Sequence, residues 1–372
     1  MIKVEKCILA GLLCLAGVMI ISDAQGRVNA VGSISWRRCL SQVPEFYATD
    51  EAVRIADNVL LYRRDTGGWS KNVEMARVLS EQDKAMLRKA KERKDSTFDN
   101  GATHTQVRYL AKVYNATGLK RVRRAALSGI DYLLEAQYDN GGWPQSYPAR
   151  GYSRYITFND GAMIGVMSVL RDIARKKPEY AFVDEIRRQK AHDAVQKGIE
   201  CILRCQIDVD GRKTAWCAQH DEKTLVPRKA RSYELASISG SESVGIVRFL
   251  MSIDEPGPEI IEAVQNAAGW FREAGLEGIK QVRKEDKSKP GGWDKIIVND
   301  ASAPTIWARF YEIGTNKPIF CSRDGIPKST LGEISHERRT GYSWLGYYAT
   351  SLLAKDYPAW QKKWIPEINL TQ

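Results

Sequence analysis

The sequence predicts an all-α protein folded as an α/α toroid, a barrel of helical hairpins with irregular loops and minor short strands. Three observations carry this. Apolar residues recur at threes and fours almost throughout, alternating apolar and polar runs are scarce, and a glycine–tryptophan turn returns at intervals of 70–80 residues. The helical runs are Val107, Leu110, Val113 and Tyr114; Ile130, Leu133 and Leu134; and Met163, Val166, Met167, Leu170 and Ile173. Further along come Val195, Ile199, Ile202 and Leu203; Val244, Val247, Leu250 and Met251; and Ile260, Ile261, Val264, Ala267, Ala268 and Phe271. Only Ser153–Phe158 and Pro318–Cys321 hint at strands.

The recurring turn reads Asp65-Thr66-Gly67-Gly68-Trp69, then Asp139-Asn140-Gly141-Gly142-Trp143-Pro144, then Pro290-Gly291-Gly292-Trp293. Asp208-Val209-Asp210-Gly211, leading to Trp216, is a degenerate copy. Gln137 and Gln206 each close an apolar helix just before a turn. Glycine admits positive φ past a helix end. Each interval holds two helices plus loops, and the uneven intervals favour a closed ring over an open stack. Lys280 to Pro290 is the most polar stretch and reads as a loop.

The chain has 372 residues, 43% of them hydrophobic and 27% charged, which supplies a sizeable core and excludes a disordered or fibrous chain. Residues 1–24 read as a secretory signal peptide. Lys3 and Lys6 precede an apolar run from Ile8 to Ile21, and Ser22-Asp23-Ala24 offers a small-residue cleavage site. Residues 25–372 are then expected to form one domain, secreted or periplasmic, monomeric, and with no membrane contact once the leader is removed. Five cysteines remain after the leader, so they cannot all pair with one another; buried free thiols are the expected state. The net charge of +11, with ten Trp and sixteen Tyr, suits an acidic polymer, either nucleic acid or an anionic polysaccharide. No nucleic-acid motif supports the first.

Two stretches pair an Asp with an Asn just before a helix: Asp99-Asn100-Gly101 and Asn159-Asp160-Gly161. Either alone suits a helix cap. Placed at equivalent points of a repeated hairpin, they would face one rim and suit a hard cation or acid–base work on a sugar. A polar connector runs from Thr214 to Ser243, where His220, Lys229 and Arg231 read as an anion-facing loop. Arg309, between Trp307 and Phe310, reads as buried against a ligand, and Arg323 follows across a turn. Arginine grips carboxylates bidentately. Arg338 and Arg339 read as surface charge.

These stretches together resemble polysaccharide lyase family 10, the pectate lyases that cleave polygalacturonate by β-elimination. The likeness runs from Asp65 to Tyr348 through DNGATHTQVRYLAKVY, AQYDNGGWPQSYP, ITFNDGAM, TAWCAQHD, ARSYELASISGSESVGI, WARFYEIGTNKPIFCSRDG and ERRTGYSW. It implies the (α/α)3 toroid with a cleft on one face and Ca2+ bound together with the substrate. By motif, the metal-binding acids fall on Asp99 and Asp160, with Asn100 beside the first as a substrate contact. The catalytic arginine, assigned as the Brønsted base, falls on Arg231. Substrate-binding arginines fall on Arg309 and Arg323, with Lys229 and His220 added from the polar connector. The partner implied is a polygalacturonate or pectate oligosaccharide. One departure is Ser70, where the family's first turn has proline. An arginine base needs its pKa, normally above about 12, lowered by burial and neighbouring cations. Two rival readings remain: an inverting glycoside hydrolase on an α/α toroid with Asp99 and Asp160 as acid and base, and a non-catalytic polygalacturonate-binding protein.

Overall fold

The computed structural model describes residues 34–365 and, ahead of them, two three-residue strands, Ile20–Ser22 and Val28–Ala30. Apart from the first of those strands, the expected leader at 1–24 lies outside the described residues. Among them, no helix is long and apolar enough to cross a membrane.

The helices are α1 Trp36–Cys39, α2 Asp50–Tyr62, α3 Glu81–Lys89, α4 His104–Thr117, α5 Lys120–Glu135 and α6 Ala162–Ala174. They continue as α7 Glu185–Cys205, α8 Glu242–Met251, α9 Pro258–Glu273, α10 His336–Gly341 and α11 Tyr357–Trp364. Every helical run read from the periodicity lies in α4 to α9. Three antiparallel hairpins, α4/α5, α6/α7 and α8/α9, stand side by side, with α2 packed on the first. Helices α4, α6 and α8 form the inner row, and α5, α7 and α9 back them from outside. Composition explains the sorting. The inner helix α6 buries Met163, Val166, Met167, Val169, Leu170 and Ile173 around much of its girth. The outer helix α5 opens with Lys120, Arg121, Arg123 and Arg124, which keep one face in water. The fold is thus the all-α toroid that the sequence predicts, and its sheets are small two-stranded pairs.

Tryptophans lock the hairpins in register. The indole Nε1 of Trp69 donates to the carbonyl of Val59, Trp143 to Leu133, Trp216 to Ile202 and Trp307 to Phe271, each at 2.8 Å. Each acceptor lies in the last turn of α2, α5, α7 or α9, where carbonyls lack a helical partner or are about to lose one. All four rings are buried. Gln137 and Gln206 then tie neighbouring hairpins. Gln137 donates to Gly141 in its own turn and to Ala194 in α7; Gln206 donates to Thr214 and to Ala263 in α9. The turn before Trp143 demands glycine: Gly141 has φ +90°, and a Cβ there would stand 2.0 Å from the Lys197 carbonyl oxygen.

Two expectations fail here. Pro290-Gly291-Gly292-Trp293 is not a copy of the repeat. It closes a hairpin of Ile279–Glu285 with Trp293–Asn299, the longest strand pair in the described residues, inserted between α9 and the true fourth tryptophan, Trp307. The polar stretch from Lys280 is therefore largely a strand. Its two faces are both partly exposed, so no apolar alternation marks it. The five cysteines 39, 201, 205, 217 and 321 are free and buried, as expected.

Replacing Trp143 by Phe leaves the Leu133 carbonyl without its indole donor and is expected to lower the unfolding free energy by about 1–3 kcal/mol. The same change at Trp293, outside the repeat, is expected to cost about 1 kcal/mol or less. Urea denaturation of the two variants checks this; equal losses would contradict the register role.

Candidate active site

The N-termini of the three inner helices meet at one rim, and each brings an acid. Asp99-Asn100-Gly101 forms a short turn before α4, Asn159-Asp160-Gly161 forms the matching turn before α6, and Glu242 opens α8. The first two turns share a backbone shape. Asn100 and Asp160 both have φ +51°, a left-handed conformation that Asn and Asp tolerate better than most residues. Asp99 thus corresponds to Asn159, and Asn100 to Asp160. The buried member of each pair faces inward, and the exposed member stands on the rim.

Arg309 reaches this acid group from the loop side and is only 9% exposed. Its Nη2 donates to Glu242 Oε1 at 2.6 Å and to Asn159 Oδ1 at 3.2 Å, and lies 3.5 Å from Asp160 Oδ1. Backbone bonds on both sides fix it: its N–H donates to Trp344 and its carbonyl accepts from Gly240. That close approach needs glycine, because a Cβ at Gly240 would lie 2.2 Å from the Ala308 carbonyl oxygen. Tyr342 lies under the guanidinium, 4.9 Å from its ring centroid. Arg309 Nε is buried without a partner among the described residues, so a donor is left over for a ligand.

The carboxyls bear the cost of this crowding. Burial raises the pKa of Asp160, and the neighbouring Asp99 raises it further, while Arg309 opposes. Burial pushes Glu242 up to about 7 despite its bond to Arg309. Asp99 is 3% exposed; its Oδ2 accepts from Lys71 Nζ, and its Oδ1 is buried with no partner among the described residues. An orphaned carboxylate oxygen beside a second carboxylate fits a hard divalent cation with oxygen ligands. The described residues hold no cluster of three or more His, Cys, Asp or Glu side chains suited to a metal, so the chain itself offers two carboxylates.

Arg231 lies on the same side and is near enough to Asp160 to lower its pKa. Its guanidinium grips Glu234 with two bonds, at 2.8 and 2.5 Å, and stacks near Tyr233 and Tyr342. With Glu234 bound to it, the Glu234 hydrogen bonds raise its pKa above the ordinary arginine value. Arg323 is 63% exposed, paired with Glu337 at 2.9 Å, and 5.7 Å from the Tyr233 ring. Asn100 is exposed and donates to Asn72 at 3.0 Å. Lys229 is exposed, with no carboxylate partner among the described residues.

His220 packs against Phe158, next to the Asn159-Asp160 turn, but is not open to a ligand. It is fully buried, with Nε2 accepting from the Cys217 N–H and Nδ1 bonded to the Leu225 carbonyl, so neither nitrogen is left for a substrate. Burial holds it neutral, with a pKa near 4. Arg338 and Arg339 are not surface charge either. Both are buried, Arg338 over Tyr233 and Arg339 paired with Asp294 at 2.6 Å. Sequence reading missed Lys71, Glu234, Glu242 and Tyr342. Glu242 carried a signal, since it opens the third inner helix as the Asp–Asn turns open the other two.

The pectic acid lyase family model matches residues 63–353, and the chain belongs to that family. Two solved structures agree. A variant of the family 10 polysaccharide lyase from Cellvibrio cellulosa, in complex with trigalaturonic acid, superposes with a TM-score of 0.74 at 34% identity, covering 88% of this chain and 95% of that one. The family 10 polysaccharide lyase from the same organism gives 0.72 and 34%, covering 88% and 94%. No curated protein matches. The protein is thus a family 10 polysaccharide lyase.

Glu242 provides a pH signature. A carboxyl whose pKa is raised on folding stabilises the protein fully below about 4.3, and that stability is lost as pH rises through about 7. Wild type is therefore expected to lose stability relative to Glu242→Gln as pH climbs from about 4.3 to 7, with no further divergence above. Urea titrations across that range test it; a pH-independent difference would refute the raised pKa.

Proposed function

We propose that the protein cleaves polygalacturonate by Ca2+-assisted β-elimination, with Arg231 as the Brønsted base, releasing 4,5-unsaturated oligogalacturonates. The observation that supports this best is the meeting of Asp99, Asp160, Arg309 and Arg231 at one rim, with the spare Oδ1 of Asp99 and the spare Nε of Arg309. The trigalaturonic acid bound to the Cellvibrio relative supports the substrate class.

Asp99 and Asp160 would hold the ion. Bound there, Ca2+ would neutralise the uronate carboxylate and make the C5 proton more acidic. Arg309, with Arg323 further out, pairs with uronate carboxylates and stabilises the charge that develops as C5 is deprotonated. Arg231, once it has left Glu234 and given up a proton to solvent, takes the C5 proton as a neutral guanidine and becomes guanidinium again. The electron pair becomes the C4–C5 double bond, the C4–O bond breaks, the departing oxygen takes a proton from solvent, and no net water is consumed. For that step Arg231 has to release Glu234. Tyr342 Oη already donates to Glu234 Oε1 at 2.7 Å, so the carboxylate keeps a partner when the guanidinium turns to substrate. The family and the leader-like N-terminus support export to the periplasm or beyond, with residues 25–372 acting as a monomer.

Polygalacturonate with Ca2+ is expected to yield an ultraviolet-absorbing product, and a chelator to abolish it. Reducing ends without absorbance would point to a hydrolase, and binding without release to a carbohydrate-binding protein. Arg231→Lys is expected to lose at least about a hundredfold in kcat with an unchanged melting temperature; near-normal activity would remove Arg231 from the base role. Glu234→Gln deletes the anion that raises the Arg231 pKa. The rise of kcat with pH is therefore expected to begin at lower pH than in the wild type.

A further inference from the structure

Beside the acid rim lies a second cavity of about 270 Å3, formed where α1, the loop 70–74 and the first turn of α4 come together. Its wall includes Trp36, Arg37, Lys71, Asn72, Glu74 and Asn100. We propose that this cavity is an outer subsite for one uronate residue of a polygalacturonate chain whose reacting residue sits at the rim. The inference rests on the pectate lyase reading and extends it to the length of chain that the protein grips.

Continuity is the first support. Lys71 lines the cavity and also donates to Asp99, while Asn100, next in sequence to Asp99, lines it from the other side. A linear polymer with one residue at Asp99 and Asp160 has to leave the rim in two directions, and this wall borders it on the α4 side. Size is the second. The volume falls below the roughly 300–1,000 Å3 of a drug-sized ligand and suits a single pyranose ring.

Chemistry is the third support. Arg37 is exposed and has no carboxylate partner among the described residues, so its planar fork is available to a uronate carboxylate. Glu74 is the opposing charge in the wall, but its Oε1 is taken up by the backbone N–H groups of Trp36 and Ala76, at 2.7 and 3.1 Å. Trp36 is half-buried, held edge-on against Tyr109, and offers the apolar surface that the C–H face of a sugar covers. Asn72 and Asn100 both adopt positive φ, at +59° and +51°, and bond to each other at 3.0 Å; together they hold a polar lip between cavity and rim. Such left-handed side-chain-bearing residues collect at ligand clamps. Trp36 and Arg37 precede the residues that the family model matches, and Lys71, Asn72, Glu74 and Asn100 lie within them.

Binding and turnover are to be measured separately with saturated tri- and hexagalacturonate in the presence of Ca2+. Binding is read by calorimetry on the short time scale or at a pH where turnover is slow. The wild type is expected to bind the hexamer about tenfold or more tightly than the trimer. Arg37→Ala is expected to erase about tenfold of hexamer affinity and Arg37→Glu more, with a smaller loss for the trimer. Equal wild-type affinities for the two lengths, or an equal loss for both in the variants, overturns the subsite. Ultraviolet product formation from the trimer judges the lyase reading on its own. Its failure together with a length-dependent, Arg37-dependent affinity leaves the subsite standing and removes the reaction.

Discussion

The indole N–H of a buried tryptophan, bonded to a carbonyl in the last turn of the preceding outer helix, is the contact on which the ring depends. Made four times, by Trp69, Trp143, Trp216 and Trp307, it fixes where each helix stops and where the chain turns back toward the rim. A helix end leaves carbonyls that burial would otherwise make costly. The indole satisfies one while filling the space beneath the turn. The segment after each tryptophan takes its position from that anchor. Thr103 donates to the Thr97 carbonyl and accepts from the Trp69 N–H, and Ser243 accepts from the Trp216 N–H, so the starts of α4 and α8 are set from the turn before them.

That arrangement explains why the acids share one rim. The inner helices all begin on the same face, so Asp99, Asp160 and Glu242 converge without any of them being close in sequence. Carboxylates at helix N-termini meet the favourable end of the helix dipole. They still repel one another, and burial raises Asp160 and Glu242 further. Arg309 and Lys71 relieve this only in part. The rim is therefore short of positive charge around Asp99 Oδ1, which is the environment a divalent cation relieves. The aromatic layer beneath, Tyr233 and Tyr342, holds Arg231, Arg309, Arg323 and Arg338 in one neighbourhood despite their like charge. Glu234, Glu242 and Glu337 pair with those guanidiniums.

Much of this was legible in the residues. The 3.6-residue period located α4 to α9, because each buries a continuous stripe on its neighbours. Two of the strand hints were right, at Ile156–Thr157 and Phe320–Cys321. The Gly-Trp turns were legible where the tryptophan follows a helix directly. They misled at Trp293, because the same three letters also close a β-hairpin, and only the preceding helix end tells the two apart. His220 was misplaced for a related reason. Sequence shows that it neighbours charged residues, but not that its strand pairs with Ile156–Thr157 and turns the ring inward.

By itself, then, the sequence determined the helical class, the hairpin repeat and the residue types at the rim, since periodicity, glycine turns and Asp–Asn pairs are local properties. The tertiary structure alone decided the partners. It placed Glu242 on Arg309 across 67 residues, Tyr342 on Glu234 across 108, and Lys71 on Asp99 across 28. It also decided which charges are buried, so that Arg338 and Arg339 left the surface and His220 is closed to a ligand. These are long-range contacts set by ring closure, and charge, burial and pKa follow from distance in space rather than distance along the chain.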